Sequence, residues 1–322
     1  MSIFLHLSSR RTVVALMTAA LGIGAAPSSF AAWPTKEIRI MVPAAPGGST
    51  DLVARTVKAH LEKQLGAPVV IVNQTAGGGG VATNAVATAK PDGGTFLLFH
   101  ALLHTAHLFG RSPLSFRDFT PIATISEVNN VLAVKKSAPY STLAELLSYV
   151  KANPGKLKLA SQLGGTTQVI GQATAKWLQN TVRVVDAGTE ADRLASLLGE
   201  QTEIALLTTV TALQYDKAGE IKVLAVFSRN PEVAAPKWLT ATAQGMPVSF
   251  PLTFTLYAPK GLPDELKAQL DRAMAAVAAD ESFKAEMTRS GTSLAPRNSQ
   301  QAATFLNEEF NFVSEIIKSG KN

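Results

Sequence analysis

Three stretches place glycines beside hydroxyl or small residues where a short apolar run gives way to a helical one: Pro46-Gly47-Gly48-Ser49-Thr50, Ala76 with Gly77 to Gly80, and Gly164-Gly165-Thr166-Thr167. Such a turn can bind an anion. Glycine takes backbone angles closed to other residues and leaves no side chain between the main chain and a ligand. The free N–H groups of the following helix start, with the helix dipole behind them, favour negative charge. An ordinary strand-to-helix turn explains two adjacent glycines equally well. Four glycines at a strand end, with a second such loop nearby, favour a cradle of backbone amides. Asp51 is read as serving its helix start, because its charge would repel an anion.

Other chemistry is weaker. Gly77, Gly79 and Ala82 fit a G-x-G-x-x-A dinucleotide spacing, but Pro91-Asp92-Gly93-Gly94 stops the helix early and the strand Thr95 to Phe99 ends without an acidic residue for a ribose. His100, His104 and His107 share one side of a helix, yet no HExxH-type acid accompanies them, so no metal site is expected. There is no G-x-S-x-G elbow and no Walker loop, and Asp51, Asp186 and Glu190 cannot be paired from sequence, so no catalytic residue is assigned.

These loops need a scaffold. Ile38, Ile40, Met41 and Val42 form a buried strand, and Val53, Val57, Leu61 and Leu65 mark one face of the helix after it. Strands at Val69 to Asn73, Leu157 to Ala160 and Thr181 to Val185 are followed by loops and helices in the same way. This α/β alternation implies parallel sheets, whose ligands bind beyond the carboxyl ends of strands. The Pro- and Ala-rich segment between Phe227 and Pro251 reads as a surface crossing, and the last helix, with Phe305, Phe310, Val313 and Ile317, as core.

Arg10 and Arg11 precede the apolar run Val13 to Ala26, and small residues follow to Ala31, so residues 1–31 read as a cleaved signal peptide. Ser9-Arg10-Arg11-Thr12 also resembles a twin-arginine signal. Of the net charge of +6, Arg10 and Arg11 contribute two, leaving +4 on the mature chain. Without a basic block, and with 7% aromatics, there is no nucleic-acid footprint. Cysteine is absent, which excludes thiolate metal sites and nucleophiles.

Seven segments in order carry a resemblance: Trp33-Pro34; Val42-Pro43 with Ala45-Pro46-Gly47-Gly48 and Asp51; Val69 to Asn73 with its glycine loop; Pro91-Asp92-Gly93; Asp118-Phe119 with Pro121; Lys151 to Leu157; and Ala258-Pro259-Lys260-Gly261-Leu262-Pro263. Together they resemble the solute receptors of tripartite tricarboxylate transporters, the Bug family. The resemblance implies a two-lobed, type II-like periplasmic binding protein fold, each lobe a mixed, mostly parallel sheet flanked by helices. It implies a monomer that takes a small organic carboxylate between its lobes and hands it to a membrane permease, without a cofactor. Lobe 1 would comprise residues 32–126 plus 230–322 and lobe 2 residues 127–229.

Carried over by position, the expected ligand contacts are Ala45, Gly47, Gly48 and Ser49; Gly78, Gly79 and Gly80; His104; Gly165, Thr166 and Thr167; and Ala187 with Gly188. The departures are informative. Leu163 stands where the family has a glycine, Val169 where it has a histidine, Ala187 to Thr189 where it has Tyr, a basic residue and Gly, and Glu203 where it has Asp. These changes suggest a larger or more apolar cavity, suited to an aromatic or branched monocarboxylate. Two alternatives are a ligand sensor for a membrane signalling partner, which shares the binding chemistry, and an exported enzyme using the loops for a nucleotide.

Overall fold

The computed structural model describes residues 33–34 and 37–319; the signal-peptide reading falls outside them. From the start run β1 (Ile38–Val42), α1 (Ser49–Leu65), β2 (Val69–Asn73), α2 (Gly80–Ala87), β3 (Thr95–Phe99), α3 (Leu102–Leu108) and β4 (Phe119–Val128). The middle holds β5 (Asn130–Lys135), α4 (Leu143–Ala152), β6 (Leu157–Ser161), α5 (Thr166–Trp177), β7 (Val182–Asp186), α6 (Glu190–Leu198), β8 (Ile204–Thr208), α7 (Thr209–Lys217) and β9 (Ile221–Val226). The end holds β10 (Leu252–Pro259), α8 (Asp264–Ala279), α9 (Glu281–Arg289), β11 (Ser293–Arg297) and α10 (Ser299–Ser319).

Two mixed sheets result. The first has the order β11-β4-β10-β3-β1-β2 and the second β7-β6-β8-β5-β9. In the first, β1 runs parallel to β2 and β3, while β10 runs antiparallel to β3 and β4. In the second, β6 runs parallel to β7 and β8, while β5 is antiparallel to β8 and β9. The antiparallel pairs in both sheets involve the strands by which the chain changes sheet. It leaves the first at Asn129, between β4 and β5, and returns between β9 and β10.

Each sheet is held by its own core. Ile38, Ile40 and Val42 of β1 and Val53, Val57 and Leu61 of α1 are fully buried, as their periodicities require. At about 1.5 to 3 kcal/mol for each large aliphatic side chain, this interface anchors the strand and helix on either side of the first loop. In the second sheet Leu157, Leu159, Val169 and Ile170 do the same for β6 and α5. Thr142 caps α4, its hydroxyl accepting from Glu145 N at 3.2 Å.

The last helix serves both sheets. Phe305, Leu306 and Phe310 pack with Leu97, Phe99 and Tyr257 of the first, while Val313 and Ile317 join the core of the second. The segment from Phe227 to Phe250 differs from the expected surface crossing. Trp238, Ala241, Met246 and Phe250 are buried, and Trp238 Nε1 donates to Asp216 Oδ2 at 3.3 Å. Its prolines and alanines hid an apolar content that the second core absorbs.

Candidate functional site

The first loop is built around Asp51, which is 1% exposed. Its carboxylate accepts from Gly47 N at 2.8 Å, Arg55 Nε at 2.8 Å and Asn73 Nδ2 at 2.9 Å. Burial alone would push this carboxyl up, but those hydrogen bonds and the Arg55 charge outweigh it and hold it below the ordinary value. Asp51 therefore staples the loop rather than capping α1, whose N-cap is Gly48. Gly48 N also turns inward, to Ala45 O at 3.3 Å.

Asn73 carries the staple to the second loop, because its Nδ2 also reaches Ala44 O at 3.0 Å. There Gly77, Gly78 and Gly79 have φ of 63°, 65° and 89°. A Cβ at Gly79 would lie 2.5 Å from the Pro43 Cβ, so glycine is what lets the two loops touch. Gly77 and Gly78 open a short 3-10 turn, and amides in a first turn have no acceptor within it. They are the available donors of this loop.

In the second sheet the loop amides ahead of the helices are bonded locally. Gln162 N donates to Thr167 Oγ1 at 2.9 Å, Leu163 N to Asp186 Oδ1 at 3.1 Å, Gly164 N to Gln168 Oε1 at 2.6 Å and Gly165 N to Gln162 O at 3.0 Å. Beyond β7, Ala187 N donates to Ser161 O at 2.8 Å and Gly188 N to Asp186 Oδ1 at 3.2 Å. Thr189 caps α6 in a capping box with Asp192.

A cavity of about 500 Å³ lies between the second loop and the loop after β6. One side presents Gly77, Gly78, Gly80, Gly164 and Gly165; another presents Phe99, Leu102, Leu103, Ala106 and Leu114. This volume suits a small molecule with an apolar body and an anionic end. A cavity of about 400 Å³ between β4 and α8 has no glycine loop and is set aside.

Of the expected contacts, Gly78, Gly80 and Gly165 line the larger cavity. Ala45, Gly47, Gly48 and Ser49 are exposed and are not part of its wall, and Gly79 is buried against Pro43. Thr166 and Thr167 are buried at the start of α5, and Ala187 and Gly188 sit in the self-bonded loop. His104 is behind the wall, 0% exposed, its Nε2 3.2 Å from Glu309 Oε2 but outside hydrogen-bond geometry. The other two imidazoles face elsewhere: His100 lies against Phe99 and Phe254, and His107 Nδ1 is 3.1 Å from Pro113 O. Sequence reasoning missed Arg111, Gln162 and Asn84, whereas Leu102 and Leu103 of α3, apolar enough to be read as core or pocket wall, do line the cavity.

Two sheets joined by crossings, with a glycine-lined cavity between loops of each, define a two-lobed solute-binding receptor. The Tripartite tricarboxylate transporter family receptor profile matches residues 53–321, and the chain belongs to that family. A UPF0065 protein of Bordetella pertussis is 31% identical over 307 residues, 94% of this chain and 95% of the relative. Among solved structures, R. palustris Rpa4515 with adipate is 26% identical at a TM-score of 0.75, covering 90% of this chain and 98% of that one. MatC from Rhodopseudomonas palustris with bound malate is 28% identical at 0.70, covering 88% and 99%. The family is one of transporter receptors, and the periplasmic binding protein BugD is 26% identical at a TM-score of 0.72, covering 90% of this chain and 99% of that one. Among the described residues no helix is long and apolar enough to cross a membrane.

Proposed function

We propose that the chain is exported by cleavage of residues 1–31, acts as a periplasmic monomer, and delivers a small organic carboxylate to a tripartite-type membrane permease. Lobe 1 comprises residues 32–126 and 230–322, and lobe 2 residues 127–229. The observation that carries this reading is the cavity of about 500 Å³ with backbone amides on one side and Phe99, Leu102 and Leu103 on another. The Gly77 and Gly78 amides take the carboxylate, directly or through ordered water, and the α3 wall takes the body. Lobe 2 closes over it by hinge motion. Neighbours that hold adipate and malate support a carboxylate as the class. The apolar wall supports an aromatic or branched monocarboxylate for this chain.

Thermal unfolding of residues 32–322 against aliphatic, aromatic and polycarboxylic acids tests this, with NAD, NADP and Zn²⁺ as controls. A ligand held at 100 times its dissociation constant adds about 2.7 kcal/mol, a rise of several degrees. The expected result is stabilisation by aromatic or branched monocarboxylates and by no control. Tighter binding of citrate or glutamate refutes the monocarboxylate assignment, and a response to a nucleotide or metal alone refutes the receptor.

A further inference from the structure

Among the side chains that line the large cavity, Arg111 carries the one formal charge. Its guanidinium has no hydrogen-bond or ionic partner among the described residues. The backbone holding it is fixed. Arg111 N donates to Ala106 O at 2.8 Å where α3 ends, and Ser112 Oγ and the Leu114 backbone bond each other at 3.1 Å in both directions.

The side chain reaches across to the other sheet's loop. A Cβ at Gly164 would lie 2.6 Å from Arg111 Cδ and 2.7 Å from its Nε, so the missing side chain there is the space the arginine occupies. Gly164 and Gly165 cannot offer their own amides, which already donate to Gln168 and Gln162. An anion enclosed here would leave water, and an uncompensated buried charge is costly. A planar guanidinium meets a carboxylate with two parallel, charge-assisted hydrogen bonds.

We propose that Arg111 is the charge-reading residue of the cleft: it clamps the ligand carboxylate against the Gly77–Gly78 amides and ties lobe 1 to the Gly164 loop on closure. The proposal rests on the carboxylate-receptor reading and adds a specificity rule. One cation in an otherwise neutral lining favours a monoanion over a dianion and an acid over its neutral amide.

The test is calorimetric titration of the protein purified from the periplasm with phenylacetate, 4-methylpentanoate and adipate, and with phenylacetamide as the neutral isostere. Wild type, Arg111→Gln and Arg111→Lys are compared, with unliganded melting curves confirming that all three fold alike. The expected result is that Arg111→Gln raises Kd for the monocarboxylates about tenfold or more and loses most of the preference for phenylacetate over phenylacetamide, while Arg111→Lys keeps part of both. Carboxylate affinity within twofold of wild type in Arg111→Gln overturns the arginine clamp and leaves the receptor standing. A wild-type protein that binds none of the three acids, and neither citrate nor glutamate, overturns the carboxylate reading and the clamp with it.

Discussion

The two sheets carry loops of similar composition and opposite state. In the first, Gly77 and Gly78 lie in the first turn of a short 3-10 helix, their amides without an acceptor in that turn, and line the cavity. In the second, the amides from Gln162 to Gly165 and at Ala187 and Gly188 are bonded within their own lobe. The staples differ as well. Asp51 is buried and holds three donors at 2.8 to 2.9 Å, whereas Asp186 is exposed and holds two at 3.1 and 3.2 Å. Glycine content alone does not make an anion site; what matters is which amides the fold leaves unspent. On this comparison we propose that the Gly77–Gly78 loop binds the anion and the loops of the second sheet cover it.

Asp51→Ala should have the largest effect. It removes the buried carboxylate that joins the Gly47 amide, Arg55 and Asn73, at roughly 3 kcal/mol measured by denaturant unfolding, and abolishes ligand binding. Gly79→Ala should cost about 2 kcal/mol, because the new methyl meets Pro43 and φ of 89° is strained for alanine. The same substitution at Gly80, whose Cβ would meet nothing within 4 Å, should leave stability nearly unchanged, which separates steric contact from glycine count.

Acid sharpens the contrast next. Burial lowers His100 to about 4, with help from His104, and Leu102 N donating to His100 Nδ1 at 3.3 Å holds it neutral. The unfolded chain then binds the extra proton, so this contribution is full above about 6.5 and is lost as pH falls towards 4. Asp51, whose folded pKa is depressed, loses its contribution at still lower pH, as pH falls through its folded value. Melting temperature against pH should show both losses, and His100→Gln should remove only the upper one. The smallest effect belongs to Asp186→Ala, expected to keep the midpoint within about 2 °C because the carboxylate is exposed. A loss there as large as for Asp51→Ala would break the comparison.

Much of the scaffold was legible, because β1, α1, β6 and α5 have clean apolar periods and bury the residues those periods select. Helix α9 and strand β11 were not, since Glu281–Arg289 is largely polar and Ser293–Arg297 has no fully buried residue. The second glycine loop was legible as irregular backbone, because consecutive glycines favour the positive φ that Gly77, Gly78 and Gly79 adopt. In the first and third loops composition does not reveal that the Gly47, Gln162 and Gly164 amides are taken by Asp51, Thr167 and Gln168. His104 was placed by alignment, and it is buried beside Phe116 and Phe310, the latter far along the chain on the last helix. Arg111 had no local signature, because its meaning comes from Gly164 across the cleft.

The most direct measurement is a titration of ¹⁵N-glycine-labelled protein with the acid that stabilises it most, followed by amide proton shifts. Gly77 and Gly78 are expected to move downfield as they gain a charged acceptor, while Gly164 and Gly165, already bonded, move little. A downfield shift at Gly164 and Gly165 with Gly77 and Gly78 unmoved would contradict this, and would give the binding role to lobe 2.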